Sequence, residues 1–259
     1  MKLEIIKKMI KKQIPNTITL LNLLCGILSI YTLYTTESLI IPSIFILVGA
    51  IFDFLDGMIA RLLKAYSNIG KELDSLADVV TFGVAPSLIA VDLLQEFYPL
   101  SPILVNYSFL VFIPLLMALM SAYRLAKFNI DERQSIGFIG VPTPANALIW
   151  LSLPILYFLE TTSTHLWGIP CEEFYTTFTA ILLNPLVIIF GSVLMSFLLV
   201  AEVPLFALKF KNLKWIDNKE KFIFLIIALL LIFAFNLYSI PIIIIVYIIE
   251  SLIINKIKK

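Results

Sequence analysis

Four acidic side chains stand close together in a chain that is otherwise strongly apolar. They are Asp53, Asp56, Asp74 and Asp78. On helices, the first two are i and i+3 and the last two are i and i+4, so each pair lies on one face of its own helix. The residues between the pairs include Ser67, Asn68 and Gly70, which are typical of a turn. The spacing predicts two carboxylate pairs that face each other across a helical hairpin.

A cluster of four carboxylates in an apolar chain calls for positive charge. Each acidic side chain costs roughly 2.5 kcal/mol or more at membrane depth, so a purely structural role is disfavoured. No excess of lysine lies beside these aspartates, and divalent cations are the natural partners. Oxygen ligands suit Mg²⁺, Mn²⁺ or Ca²⁺ rather than zinc.

The elements that position these carboxylates are predicted to be transmembrane helices. The chain is 60% hydrophobic and 14% charged, and its mean hydropathy is +1.00. Windows of about 19 residues predict an all-α polytopic bundle of about eight transmembrane helices, the last two of which could instead be one interrupted helix. The predicted spans are 17–35, 40–63, 73–93, 104–127, 143–159, 176–200, 221–236 and 238–254.

The basic residues predict the orientation of this bundle. If the N-terminus is cytoplasmic, all 19 Lys and Arg residues fall in segments on the cytoplasmic side, and the outer loops carry only acids. Lys and Arg are enriched in cytoplasmic loops of membrane proteins. We therefore expect a multi-pass protein of the plasma membrane with both termini and the active site facing the cytoplasm. The net charge of +1 gives no reason to expect a nucleic-acid partner.

The chain divides into three predicted parts of a single membrane domain, residues 1–259. Residues 1–14 carry an apolar stripe among lysines, which predicts an amphipathic interfacial helix; a solvated basic flank is the alternative. Pro15 is expected in the first turn of the first span. Residues 15–200 would form the catalytic core, and residues 221–254 an extra C-terminal helical hairpin.

Other polar or small residues lie at the depth of the aspartates or at the cytoplasmic boundary. Thr19 and Asn22 form one polar face of the first span, although helix packing explains such residues as well. Gly57 leaves room for a phosphate or nucleotide, and Ala60 does so more weakly. Arg124 and Lys127 share a face at the end of the fourth span. They suit an anionic substrate, although topology alone also places basic residues there.

The aspartate pattern resembles a known family signature. Asp53-x2-Asp56-Gly57-x2-Ala60-Arg61-x8-Gly70-x3-Asp74-x3-Asp78 is similar to that of the CDP-alcohol phosphotransferases. The resemblance implies a membrane enzyme that cleaves a CDP-linked donor and transfers its phosphoryl-linked group to an alcohol. It also implies a homodimer and two divalent cations, Mg²⁺ or Mn²⁺, with Ca²⁺ as an alternative occupant. The four aspartates would bind them, and Asp78 would also be the catalytic base.

Three further motifs resemble the serine-specific branch, the CDP-diacylglycerol–serine O-phosphatidyltransferases. They are Pro15-Asn16-x2-Thr19-x2-Asn22-x3-Gly26, Arg124-Leu125-Ala126-Lys127-Phe128-Asn129 and Phe138-x-Gly140-Val141-Pro142-x-Pro144. The substrates implied are L-serine and a membrane lipid, CDP-diacylglycerol or CDP-archaeol, with release of CMP and formation of phosphatidylserine or archaetidylserine.

The site residues expected from this resemblance form two groups. The contacts expected for the CDP-lipid are Gly57, Ala60, Arg61, Ser67, Gly70, Thr19 and Asn22; those expected for serine are Arg124, Lys127 and Asn129. The alternatives are glycerol 3-phosphate or inositol phosphate as acceptor, a cation transporter with intramembrane carboxylates, and a structural membrane protein without catalysis.

Overall fold

The computed structural model describes residues 2–131, 138–162, 172–206 and 214–257. Five of the basic residues used to predict the orientation lie outside these ranges: Arg133, Lys209, Lys211, Lys258 and Lys259. The side chains of the predicted stripe within residues 1–14 lie outside the described set as far as residue 10. The chain is helical almost throughout the described part, as the composition predicts.

The described residues form eleven α-helices and one minimal pair of strands. The helices are α1 Lys2–Thr35, α2 Ile40–Leu62, α3 Asn68–Asp78, α4 Ala85–Phe97, α5 Pro102–Asn106, α6 Leu115–Ile130, α7 Thr143–Thr161, α8 Glu172–Leu182, α9 Pro185–Val200, α10 Trp215–Phe235 and α11 Ser239–Ile257. A π-helical turn, Val79–Val84, joins α3 to α4. Strands β1, Phe138–Ile139, and β2, Pro204–Leu205, pair antiparallel. Short 3₁₀ turns are Tyr98–Leu100, Ser108–Phe112 and Asn236–Tyr238.

The helices support a multi-pass membrane protein with fewer qualifying spans than predicted. Five stretches in the described part are long and apolar enough to cross a membrane, and a sixth is the pair α8–α9, bent by 64°. One of the five stretches, Trp215–Lys256, contains both the seventh and the eighth predicted spans. They form separate helices, α10 and α11, because the chain breaks at Asn236, whose φ is 46°. The rings of Phe224 and Tyr247 then meet at 5.6 Å, so α10 and α11 lie side by side. The count of eight stays a prediction.

Two predicted helix starts are wrong. Pro15 lies inside α1 rather than at its beginning, although an internal proline loses its N–H bond and its ring crowds the carbonyl four residues earlier. The predicted third span begins at Asn68 rather than at residue 73. Its cap is Ser67, whose Oγ accepts a hydrogen bond from the backbone N–H of Gly70 at 3.0 Å.

Close packing around Thr81 brings the first three helices together. Its hydroxyl donates to the carbonyl of Asn22 at 3.0 Å. A Cβ added to Gly26 would lie 2.9 Å from the Thr81 Cα, and one added to Gly49 would lie 2.7 Å from its Cγ2. Glycine at such contacts lets helices approach closely. The π-helical turn that carries Thr81 therefore packs closely on α1 and α2. The preceding helix α3 packs on α1, with Asp74 close to the aspartates of α2.

Apolar side chains cover both the interior and the outer surface. Several of the most deeply buried belong to α4, namely Ile89, Leu93 and Leu94. Large apolar side chains such as Phe54 and Phe233 are exposed. A soluble protein rarely exposes so much apolar surface, so this surface suits contact with lipid.

Candidate active site

The two halves of the predicted hairpin meet at one cluster of carboxylates. Asp53 and Asp56 of α2 and Asp74 of α3 each offer an oxygen, and these oxygens all lie within 4.8 Å of one another. Asp78, one turn further along α3, neighbours Asp53. The spacing thus correctly predicted that aspartates of α2 and α3 converge, and three of the four, Asp53, Asp56 and Asp74, form the cluster.

Two polar residues of α1 donate hydrogen bonds to two of the carboxylates. The hydroxyl of Thr19 donates to Asp56 Oδ2 at 2.5 Å, and the amide of Asn22 donates to Asp78 Oδ1 at 3.3 Å. Thr19 and Asn22 are both buried. The polar face of α1 therefore orients the acidic cluster directly. For Asn22, which lies behind Asp78, this position differs from the expected nucleotide contact.

The cluster has the composition of a divalent-metal site. Its donors are carboxylate oxygens from two helices, which match the ligand preference of Mg²⁺, Mn²⁺ and Ca²⁺. Three converging carboxylates without a bound cation would repel one another in an apolar surrounding. The residues present therefore fit a metal, and Asp53, Asp56 and Asp74 are the three that converge.

Two cavities open beside the carboxylates. The smaller is about 220 Å³ and is bordered by residues of α1, by the α2–α3 connection and by Asp56. The larger is about 840 Å³ and extends from the carboxylates to the end of α6 and the start of α7. Asp56, Gly57, Lys71 and Asp74 border both. The acidic cluster therefore lies between the two cavities.

Most of the residues expected to contact the CDP-lipid border one of the two cavities. The smaller cavity is bordered by Thr19, Gly57, Ala60, Ser67 and Gly70, and the larger by Arg61. Asn22, in contrast, borders neither cavity, because it is fully buried behind Asp78. Six of the seven residues thus border one of the two cavities.

The two glycines on this side have different surroundings. A Cβ added to Gly57 would meet only Arg61 Nη2, at 3.8 Å, so this backbone faces open space. A Cβ added to Gly70 would lie 2.9 Å from Asn16 Oδ1 and 3.0 Å from Ser67 Oγ. Gly57 thus leaves the cavity free, whereas Gly70 lets the α2–α3 connection pack against α1.

Arg124 lies across the larger cavity from the carboxylates. Its side chain is 6% exposed, and its guanidinium is within electrostatic range of Asp78. Its Nε and Nη2 atoms are buried without a hydrogen-bond partner among the described residues. A buried guanidinium with unsatisfied donors is costly. Arg124 therefore carries donors that none of the described residues satisfies.

Asn129 connects the end of α6 to α3 at the rim of this cavity. Its amide donates to Glu72 Oε2 at 3.1 Å and to Ser75 Oγ at 3.0 Å, and its carbonyl accepts from Lys71 Nζ at 2.8 Å. Its own Oδ1 is buried and has no hydrogen-bond partner among the described residues. That oxygen is a second unsatisfied polar atom, after those of Arg124, among the residues that border this cavity.

Lys127 lies away from the larger cavity. Its Nζ forms an ion pair with Glu202 at 3.1 Å, and Lys127 does not border the larger cavity. One helical turn separates it from Arg124, but its long side chain reaches towards the segment after α9. The structure therefore does not bring Lys127 to the position expected of a serine contact.

Exchanging the two charges of this pair tests whether Lys127 acts through Glu202. We expect Lys127→Glu and Glu202→Lys each to lower activity by about fivefold or less, because exposed ion pairs contribute roughly 1 kcal/mol or less. The double exchange should restore activity, measured as CMP release in detergent. A Lys127→Glu loss that the double variant does not restore would contradict this role and favour direct substrate contact.

Two residues at the cavities were not assigned a role from the sequence. Lys71 borders both cavities and lies one turn before Asp74, a spacing that could have indicated it. Thr143 borders the larger cavity, and its hydroxyl is buried without a hydrogen-bond partner among the described residues. No spacing rule indicates Thr143, because its position depends on the turn before α7.

Comparison with known proteins agrees with this geometry. A family model described as CDP-alcohol phosphatidyltransferase matches residues 12–182, which contain the whole acidic cluster. The chain belongs to the CDP-alcohol phosphatidyltransferase family. The resemblance inferred from the aspartate pattern is confirmed.

Several relatives within this family carry the name CDP-diacylglycerol–serine O-phosphatidyltransferase. The protein of Bacillus subtilis is 38% identical over 146 residues, which cover 56% of this chain and 76% of the relative. That of Helicobacter pylori strain 26695 is 33% identical over 247 residues, covering 92% and 89%. That of Methanocaldococcus jannaschii is 40% identical over 136 residues, covering 52% and 57%. Membership of the CDP-alcohol phosphatidyltransferase family and these relatives agree with the serine-type motifs.

Proposed function

We propose that this protein transfers a phosphatidyl group from CDP-diacylglycerol to the hydroxyl of L-serine, releasing CMP and forming phosphatidylserine. The observation that carries the proposal is the larger cavity, which has a carboxylate cluster at one side and the unsatisfied guanidinium of Arg124 at the other. Family membership supports the donor chemistry, and the relatives' names support serine as the acceptor.

The acidic cluster is proposed to hold two divalent cations, Mg²⁺ or Mn²⁺. Asp53, Asp56 and Asp74 would be ligands because their oxygens converge, and Asp78 would complete the set from its place beside Asp53. When bound, such cations neutralise phosphate charge and stabilise the developing charge of an in-line displacement. Thr19 and Asn22 fix the orientation of Asp56 and Asp78, so the carboxylates are held in place before any substrate arrives.

The donor is proposed to bind with its diphosphate against the cluster and its nucleotide in the smaller cavity. Gly57 leaves backbone exposed on this side, so a phosphate can approach closely. Arg61, whose Nε donates to the Gly57 carbonyl at 2.9 Å, keeps other guanidinium donors for the phosphate. The lipid tails would lie along the exposed apolar helix surfaces.

Serine is proposed to bind in the larger cavity. Its carboxylate would pair with Arg124, and its ammonium would donate to Asn129 Oδ1, since both groups lack partners among the described residues. This orientation is compatible with a hydroxyl that points towards Asp78, which lies within electrostatic range of Arg124. The zwitterion would thus satisfy two buried polar groups that otherwise stay unpaired.

Asp78 is proposed as the base for this acceptor. It removes the proton from the serine hydroxyl, whose oxygen then forms a bond to the lipid-bearing phosphorus of the donor. The bond between that phosphorus and the bridging oxygen breaks, and CMP leaves with the electron pair. A serine hydroxyl holds its proton at neutral pH, so a positioned base contributes about 10²- to 10⁴-fold to the rate.

Purified protein with CDP-diacylglycerol, Mg²⁺ or Mn²⁺ and one acceptor at a time tests this function. We expect CMP release with L-serine that stops when the metal is chelated, and little release with glycerol 3-phosphate or inositol phosphate. Those acceptors carry no ammonium for Asn129 Oδ1. CMP release that is faster with either phosphate than with serine would overturn the assignment of the acceptor.

The finer features of the assembly are part of the same proposal. We propose one membrane domain, residues 1–259, with an interfacial helix at 1–14, a catalytic core at 15–200 and a hairpin at 221–254. The basic residues support a cytoplasmic active site in the plasma membrane. We also propose that the protein is a homodimer. CDP-archaeol is a further proposed donor, since the headgroup chemistry is the same for both kinds of lipid tail.

A further inference from the structure

The segment between α9 and α10 is attached to the acceptor side of the cavity. We call residues 201–206 the strap. Its β2 residues pair with β1, with Leu205 opposite Phe138, and the Val203 carbonyl accepts from the Gly140 N–H at 2.9 Å. Glu202 pairs with Lys127 of α6 at 3.1 Å. The strap therefore joins β1 to the helix that carries Arg124.

The strap is fixed on its other side by the C-terminal helix. Tyr247 of α11 donates its hydroxyl to the Phe206 carbonyl at 2.8 Å, and its ring meets the Phe206 ring edge-on at 5.1 Å. Asn255, two turns further along α11, donates its amide to the Pro204 carbonyl. Two side chains of one helix thus bind two carbonyls of the strap.

The strap and β1 restrict the movement of one wall of the larger cavity, formed by Pro142 and Thr143. After β1, Gly140 has a φ of 77°, and a Cβ at this position would collide with the Leu199 carbonyl. The next residue, Val141, donates its N–H to the Leu198 carbonyl at 3.0 Å. Pro142 and Thr143 follow directly and border the larger cavity. A shift of the strap would therefore shift this wall.

Arg124 depends on its surroundings for its position. Its Nε and Nη2 make no hydrogen bond to the described residues, so packing rather than a polar partner holds the guanidinium. The Tyr247 phenol lies within electrostatic range of it. Tyr247 thus neighbours Arg124, the proposed carboxylate-binding group. It also anchors the strap, which is joined through β1 to the cavity wall at Pro142 and Thr143.

We infer that Tyr247 is a positioning residue for the acceptor pocket, and that hairpin α10–α11 sets the affinity for the amino-acid substrate. The matched family region ends at residue 182, so the hairpin lies outside the part that carries the shared donor chemistry. The inference rests on the proposed function, because it assigns Tyr247 to the serine side of that site. The hairpin would then act on the acceptor and leave the donor unaffected.

Replacing the tyrosine by phenylalanine tests this inference while keeping the ring. We expect Tyr247→Phe to raise the KM for serine by about fivefold, because one hydrogen bond contributes about 1 kcal/mol. The KM for CDP-diacylglycerol and kcat should stay within twofold. Asn255→Ala, which removes the second contact between α11 and the strap, should also raise the KM for serine.

Tyr238→Phe is the matched control. Tyr238 is a buried tyrosine in the turn of the same hairpin, and its ring packs on Tyr175 at 4.5 Å rather than on the strap. Its replacement should leave the KM for serine unchanged. An unchanged serine KM in Tyr247→Phe, or equal rises for serine and donor, would overturn the inference. Absence of serine-dependent CMP release in the wild type would instead overturn the proposed function.

Discussion

Replacing Asp78 by asparagine should lower the turnover of CDP-diacylglycerol and serine by about 10³-fold, within the range that a general base contributes. The change keeps the size of the side chain, and its Oδ1 can still accept from Asn22, which donates to it at 3.3 Å. The helices should therefore keep their packing. Turnover is measured as CMP release under saturating serine, and donor binding by the thermal shift that CDP-diacylglycerol produces in the presence of Mn²⁺.

Donor binding separates the two roles proposed for Asp78. If Asp78→Asn loses turnover but largely keeps donor binding, the result supports the role of base. If the variant loses turnover and donor binding in parallel, Asp78 acts mainly as a metal ligand. Asp92→Asn is the matched control, since Asp92 lies on the same continuous helical stretch, Asn68–Leu100, but outside the cluster. It should keep normal turnover. Near-normal turnover in Asp78→Asn would remove the assignment of the base.

The acidic site was predictable because it depends on local spacing. Asp53 and Asp56 share a face of α2 for reasons of helix geometry alone, and so do Asp74 and Asp78 of α3. Only a turn was needed to bring the pairs together. The apolar composition likewise predicted a bundle of membrane helices, because the hydrocarbon core requires long apolar helices.

The parts that were not predicted depend on contacts between distant segments. Lys127 has a basic side chain at the expected helix end, but its position is decided by Glu202, 75 residues away. The buried position of Asn22 follows from the close approach of Thr81 to Gly26 and Gly49. The continuity of α1 through Pro15 was missed because proline was taken as a boundary between the helix at 1–14 and the first span, although it is tolerated within this helix. Such features need tertiary contacts that a single sequence does not specify.

Replacing Arg124 by alanine should raise the KM for serine by about 100-fold and leave the KM for CDP-diacylglycerol within threefold. A charge-assisted pair between guanidinium and carboxylate in a buried site contributes about 3 kcal/mol, which corresponds to that change. Arg124 is 6% exposed, and two of its nitrogens lack partners among the described residues. The variant therefore loses no protein hydrogen bond from those atoms, and the loss should fall on the substrate.

Two further variants decide whether this effect belongs to the acceptor. Arg124→Lys keeps the charge but not the fork of two parallel donors, so we expect it to restore only part of the affinity for serine. Arg61→Ala removes the other arginine that borders the larger cavity, and it should raise the KM for the donor instead. Steady-state kinetics with each substrate varied in turn measure both. If either arginine variant affects the two substrates equally, the two sides of the carboxylate cluster do not have the separate functions proposed for them.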